Sequence, residues 1–182
     1  MSIFIESSDQ YFNIALSHIV KRPLERQSIC IVDLESFSTL RALITCIEDY
    51  GEQFNFIFIK GKGILSGMFN NLTTVSKRTK MKEFPKKINR CNQMPYGRII
   101  KLLNSYKNLT MLTPKEIKSV YGVRAQHSLI DAASFIGVDT KICYQRMISV
   151  ARKLNLKSSI HVQYFIHSEF TIAEIGRIIR QH

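Results

Sequence analysis

The sequence predicts an α/β domain followed by an all-helical one, and three observations carry that prediction. Over roughly the first 80 residues, short β-rich runs alternate with helical periodicities. From Thr113 onward every apolar repeat has helical spacing. The charge divides as well. Residues 1–60 hold five Lys/Arg against eight Asp/Glu and residues 61–182 hold 21 against six, within a formal total of +12.

In the front part, residues 2–6 (SIFIE), Ser28–Asp33 (SICIVD) and Phe54–Lys60 (FNFIFIK) are expected as strands, with a fourth at 72–76. Helices are expected over 10–22 and 38–49. Uninterrupted apolar runs such as ICIV belong to strands covered on both faces, so the short sheet is predicted to be parallel. Residues 77–90 (KRTKMKEFPKKINR) hold seven Lys/Arg and one Glu, and Pro85 is expected to interrupt any helix there. The run reads as a solvated basic helix and linker, or as an accessory phosphate-contacting patch. Residues 91–108, with Pro95, Gly97 and several Asn, read as a linker, which places the domains at 1–90 and 109–182.

Thr113-Pro114-Lys115-Glu116 is a helix start with a capping hydroxyl, Pro at the first helical position and Glu at the third. A second helix runs from Ser128 to Ile136 and stops at Gly137. Asp139 or Thr140 caps a third, which reaches about Leu154, and Ser158 or Ser159 starts a fourth. Beyond it, Ile172, Ile175, Ile178 and Ile179 mark an amphipathic segment over 170–180, expected to pack on its own domain or on a partner.

With 45% apolar residues the chain closes proper cores. Its opening does not resemble a signal peptide, and no uncharged run approaches the ~20 residues of a membrane span, so a cytoplasmic, nucleoid-associated protein with no membrane partner is expected. Cys30, Cys46, Cys91 and Cys143 are scattered, without a CxxC pair or a Cys/His grouping at zinc spacing. Four reduced thiols, three of them buried, and neither metal nor cofactor are the expectation; Cys91 beside Arg90 is the one redox candidate. Catalysis is not expected. Gly61-Lys62-Gly63 lacks the spacing of a nucleotide-binding loop, and His18, His127, His161 and His167 are dispersed without acids beside them.

Two helices joined through Gly137-Val138-Asp139, the second of them basic, form a helix-turn-helix pattern. Across residues 112 to about 168 the chain resembles the LuxR/FixJ class of bacterial DNA-binding domains, a four-helix helix-turn-helix. Leu112-Thr113-Pro114-Lys115-Glu116 matches the family's LTPRE, Ile136-Gly137-Val138-Asp139 its LGIS turn, and Arg152-Lys153-Leu154-Asn155-Leu156 stands where the family has RKLGV. Two places depart from the pattern. Gln126-His127-Ser128 replaces Gly-x-Ser, and Ile142-Cys143-Tyr144-Gln145-Arg146 replaces Thr-Val-x-x-His in the recognition helix.

The third helix can be read without that resemblance. Cys143, Met147, Val150 and Leu154 recur at helical spacing as a buried stripe, joined by Ile136 and Val138. The remaining faces carry the expected duplex-DNA contacts, at Thr140, Lys141, Tyr144, Gln145, Arg146, Ile148, Ser149, Arg152, Lys153 and Lys157. Gln145 suits adenine, and Tyr144 or Ile148 a thymine methyl or sugar. Lys141, Arg146, Arg152, Lys153 and Lys157 suit phosphates.

The resemblance further implies a fourth helix that supplies a dimer contact, with a second copy or with another regulator, and a receiver-like front domain. Asp33 takes the place of a receiver's phospho-acceptor, and Lys77 that of its lysine. The acid pair is reduced to Glu6-Ser7-Ser8-Asp9, and the chain between Asp9 and Asp33 is too short for the usual second strand and helix. This layout resembles auxiliary regulators of acid-resistance, capsule and fimbrial genes in enteric bacteria, which implies a transcriptional regulator whose front domain is not phosphorylated. The alternative is a protein-interaction adaptor that keeps the fold with weak or non-specific DNA binding.

Overall fold

The computed structural model describes residues 3–20, 28–72 and 75–181. The chain divides into two compact units, Met1–Leu103 and Asn104–His182.

In the front unit, β1 (Ile3–Glu6), β2 (Ser28–Asp33), β3 (Phe54–Lys60) and β4 (Val75–Ser76) pair in parallel in that order. Ser2, Lys21, Arg22, Thr73 and Thr74, which the expected first strand, first helix and fourth strand include, lie outside the described residues. Odd-numbered strand residues Ile29, Ile31, Ile57 and Ile59 form one core with Leu16 of α1 (Gln10–Ile19) and with Phe84 and Ile88 of α4 (Phe84–Arg90). Phe4, Phe54 and Phe56 point to the other face, where Tyr50 of α2 (Leu40–Tyr50) sets its ring against all three. Both faces are therefore covered, which is why β2 and β3 are apolar at nearly every position. Successive strands step in one direction across the sheet, yet α1 and α2 cover opposite faces. The two crossovers consequently have opposite hands, a departure from the nearly universal right-handed βαβ unit.

Three expectations need correcting here. Pro85 does not interrupt the basic run. It sits in the first turn of α4, where a missing N–H costs no helical hydrogen bond. Residues 91–108, expected as a linker, instead hold β5 (Met94–Pro95) and α5 (Tyr96–Lys107). β5 pairs with β3 antiparallel, Met94 opposite Phe56 and Pro95 opposite Asn55, so the sheet is mixed rather than wholly parallel. Proline is compatible with such a short edge strand. α5 is amphipathic and buries Ile99, Leu103 and Tyr106 at helical spacing.

The second unit is all-helical: α6 (Pro114–Ala125), α7 (Leu129–Ile136), α8 (Thr140–Lys153), α9 (Ser159–Glu169) and α10 (Ile172–Gln181). α6 packs against each of the other four. The caps are those the sequence advertises. Thr113 and Glu116 close a reciprocal capping box, and Ser128, Asp139 and Ser158 cap α7, α8 and α9. α10 lies on α6 with Ile175 and Ile178 buried, and Arg124 Nε donates to the Phe170 carbonyl at 2.7 Å.

All four cysteines carry free thiols. Cys30 and Cys143 are buried and Cys46 and Cys91 half-buried, two buried thiols rather than three. Burial, with Glu6 and Asp49 nearby, pushes the Cys46 thiol up to about 11, away from thiolate chemistry. Among the described residues, no helix is long and apolar enough to cross a membrane, and no group of His, Cys, Asp and Glu is placed to hold a metal ion.

Candidate nucleic-acid interface

The turn between α7 and α8 fixes how α8 is presented. Gly137 ends α7 at φ 69°, ψ 44°, in the left-handed region, and the Val138 N–H reaches back to the Ala133 carbonyl at 3.0 Å. This closes the helix as a Schellman-type cap and leaves Asp139 to start the next one, its carboxylate accepting from the Lys141 N–H at 2.7 Å. Ala133, Ile136 and Cys143 then form a small core across the turn, with Leu129 and Val138 packed on it. The far end of α8 closes in a similar way. Asn155 adopts φ 54°, and the Leu156 N–H bonds the Ala151 carbonyl at 2.8 Å. Asparagine is the side chain after glycine that best tolerates this backbone, so Asn155 can stand where RKLGV has glycine.

The ten expected contact residues sort into groups on this frame. Lys141, Gln145, Ile148 and Arg152 follow one another at spacings of four, three and four along the side opposite the buried Cys143, Met147, Val150 and Leu154, with Tyr144 beside Gln145 at the edge of that stripe. All but Ile148, which is half-buried, are exposed. Thr140 and Lys157 are exposed at the two ends. Arg146, Ser149 and Lys153 lie on a flank, and two of these turn toward α6. Ser149 Oγ donates to Glu116 Oε1 at 2.7 Å, and Lys153 Nζ reaches Glu116 Oε2 at 2.7 Å.

Glu116 is the residue that sequence reasoning did not place in the site. It was legible as the third residue of a capping box, and it does accept from the Thr113 N–H at 2.7 Å. The same buried carboxylate also ties α8 to α6. Burial works against its charge, but Lys153, Thr113 and Ser149 outweigh that and hold the carboxyl down at about 2.

The front unit carries a second polar cluster at the C-terminal edge of its sheet. Asp33 is wholly buried. Its Oδ2 accepts from Ser7 Oγ at 2.7 Å and Ser36 Oγ at 2.9 Å, and Lys77 Nζ lies 2.7 Å away. Oδ1 accepts the Glu35 N–H at 3.1 Å. Lys77 also approaches Glu35 at 3.4 Å and Asp9 at 3.9 Å, and lies 4.9 Å from the centre of the Phe12 ring. Burial works against the ammonium, yet Asp33 and Glu35 hold its pKa above the ordinary value. Asp9 itself caps α1. Asp33 and Lys77 were each singled out in the sequence by the receiver resemblance; their contact and the two serines that complete the shell were not. Beside the cluster, the Gly61–Gly63 loop gives its Lys62 N–H to Glu35 Oε1 at 3.2 Å.

No family model and no curated protein matches this chain. Among solved structures, it is similar to a DNA complex of the two-component response regulator RcsB, with a TM-score of 0.60 at 14% identity over 94% of this chain and 99% of that one. RcsB of Salmonella typhimurium in a second structure (TM-score 0.37, 14% identity, 94% and 98% covered) and full-length FixJ of B. japonicum (0.34, 12%, 97% and 97%) overlap too loosely to carry an argument. The first likeness shows a shared fold. The chain shares the fold of that response regulator.

Proposed function

We propose, taking the response-regulator fold as premise, that the protein is a sequence-specific DNA-binding transcription regulator that reads duplex DNA with α8. The observation that carries this reading is the outward stripe of Lys141, Tyr144, Gln145, Ile148 and Arg152 on a helix held at its flank by Glu116. Gln145 offers a donor and an acceptor to adenine in the major groove, Tyr144 and Ile148 offer apolar contact to thymine, and Lys141 and Arg152 flank them for phosphates. Thr140, Arg146 and Lys157 extend the phosphate contacts, while Ser149 and Lys153 act through Glu116 by holding the angle of α8. Ile160 and Tyr164 lie one turn apart on α9 and are largely exposed, which supports the dimer contact implied by the family resemblance.

The front unit acts in this reading as a degenerate receiver that is not phosphorylated. Its strand order is what remains when a doubly wound 2-1-3-4-5 sheet loses its outermost strand while the first helix keeps its face. The Asp33 carboxylate is saturated by Ser7, Ser36, Lys77 and the Glu35 N–H, and hydroxyls stand where a hard cation needs anionic oxygen. Incubation of the full chain with acetyl phosphate and magnesium should therefore leave its intact mass unchanged. A phosphoryl adduct that disappears in Asp33→Asn would refute this part.

Genomic DNA selection with the full-length protein at near-physiological salt tests the main reading. A motif with half-sites about one helical turn apart is expected. Gln145→Ala should relax preference at one base pair, a loss of about 1–3 kcal/mol of discrimination, with a smaller loss of overall affinity. Recovery of motif-free DNA only would leave the adaptor reading, with specificity supplied by a partner.

A further inference from the structure

The unit that carries α8 holds only half of the net positive charge. Residues 104–182 hold eleven Lys/Arg against five Asp/Glu, a net of +6. Residues 61–103, in the front unit, hold ten against one, a net of +9, on a unit whose first 60 residues are net −3. This charge is built into a surface. Phe84 and Ile88 are buried and pin α4 to the sheet, and the positions between and before them face outward. Arg78, Lys80, Lys82, Lys86, Lys87 and Arg90 are all exposed. Lys87 alone of the six has an acid partner among the described residues, Glu83 at 3.8 Å, and both of those side chains are half exposed. Lys77, from the same run, points inward to Asp33 and has no part in this surface.

A patch of one sign with so few counter-charges repels itself, whereas surfaces that serve only solubility intersperse both signs. A polyanion would relieve that repulsion. We infer that α4 and the turn before it form a second phosphate-binding surface, through which the front unit grips the sugar–phosphate backbone of DNA without regard to base sequence. This rests on the DNA-binding reading above. An anionic bilayer is the poorer occupant, because membrane-surface helices insert an apolar face and the apolar residues of α4 are already buried in the front unit's core.

The test compares the full chain with a variant carrying Lys80→Gln, Lys82→Gln, Lys86→Gln, Lys87→Gln and Arg90→Gln, which leaves Phe84 and Ile88 in place. Binding to the selected duplex is followed by fluorescence anisotropy over a salt series. Each lost phosphate contact flattens the slope of log K against log salt by about 0.9, so a slope shallower by about 2–4 is expected, with the preference for matched over mismatched duplex retained. Unchanged slope and affinity would overturn the inference. So would charge-dependent binding to phosphatidylserine vesicles coupled with an unchanged DNA slope, which would assign the patch to a lipid surface. Gln145→Ala, measured alongside, keeps the two readings separate. If neither wild type nor this variant distinguishes matched from mismatched duplex, the base-reading role of α8 fails, and the slope still decides the patch.

Discussion

Glu116→Gln is expected to destabilise the helical unit by about 3 kcal/mol. Holding a buried carboxyl at about 2 rather than its ordinary 4.5 corresponds to an energy of that size, at about 1.4 kcal/mol for each tenfold change in acidity. Every group around Glu116 donates: the Thr113 N–H and Oγ1 and Lys153 Nζ to Oε2, and Ser149 Oγ to Oε1. A glutamine turns its amide NH2 toward one of these sets and leaves the Lys153 ammonium without its counter-charge. Because the folded-state pKa lies below the unfolded one, protonation favours the unfolded chain. The contribution is complete above pH 4.5, and it is lost as the pH falls through about 2. Wild type should therefore lose more stability across that acid window than the variant does. Lys153→Ala should have a smaller effect, since Lys153 is partly solvated and Glu116 keeps its other donors. Urea unfolding with hydrogen exchange read at α6 and α8 measures the differences. A Glu116→Gln protein that unfolds with wild type would remove Glu116 from the frame of α8.

Local chemistry made much of the helical unit legible in the sequence. Caps at Thr113, Ser128, Asp139 and Ser158 and the stop at Gly137 act over a few residues, so the chain advertises them directly. The buried stripe of α8 was equally plain, because helical spacing alone separates Cys143, Met147, Val150 and Leu154 from Gln145. The partners of Ser149 and Lys153 were not legible. Each lies more than 30 positions from Glu116, and a lysine among basic neighbours reads as a phosphate contact until its partner is seen. Residues 91–108 misled for a different reason: Pro95, Gly97 and the asparagines mark loops on average, while the spacing of Ile99, Leu103 and Tyr106 carried the helix. Asp33 and Lys77 were picked out singly, and only the fold brings Ser7 and Ser36 to them.

Two glycines of the helical unit should respond in opposite directions to the same substitution. Gly122 lies inside α6 where α7 crosses it. A Cβ there would sit 2.8 Å from Ile136 Cγ2 and 3.0 Å from the Ala132 carbonyl oxygen. The first neighbour is a buried branched side chain at the end of α7, and the second is backbone, so neither yields without moving that helix. Alanine gains about 1 kcal/mol of helix propensity over glycine, but overpacking of a tight crossing costs about 1–3 kcal/mol, and the clash should win. The damage should also reach the outward stripe of α8, which we propose reads DNA. Ile136 packs with Ala133 and Cys143 across the Gly137 turn, so displacing it tilts α8, and Gly122→Ala should weaken base discrimination as well as stability. In α10, a Cβ on Gly176 would meet only Tyr121 Cε2 at 3.9 Å and Arg180 Nη1 at 4.0 Å, which is ordinary contact. Gly176→Ala should therefore stabilise by about 0.5–1 kcal/mol through propensity and a less flexible unfolded chain. Thermal melts of the two variants settle the comparison. If both move in the same direction, the close α6–α7 crossing does not set the geometry of α7 and α8.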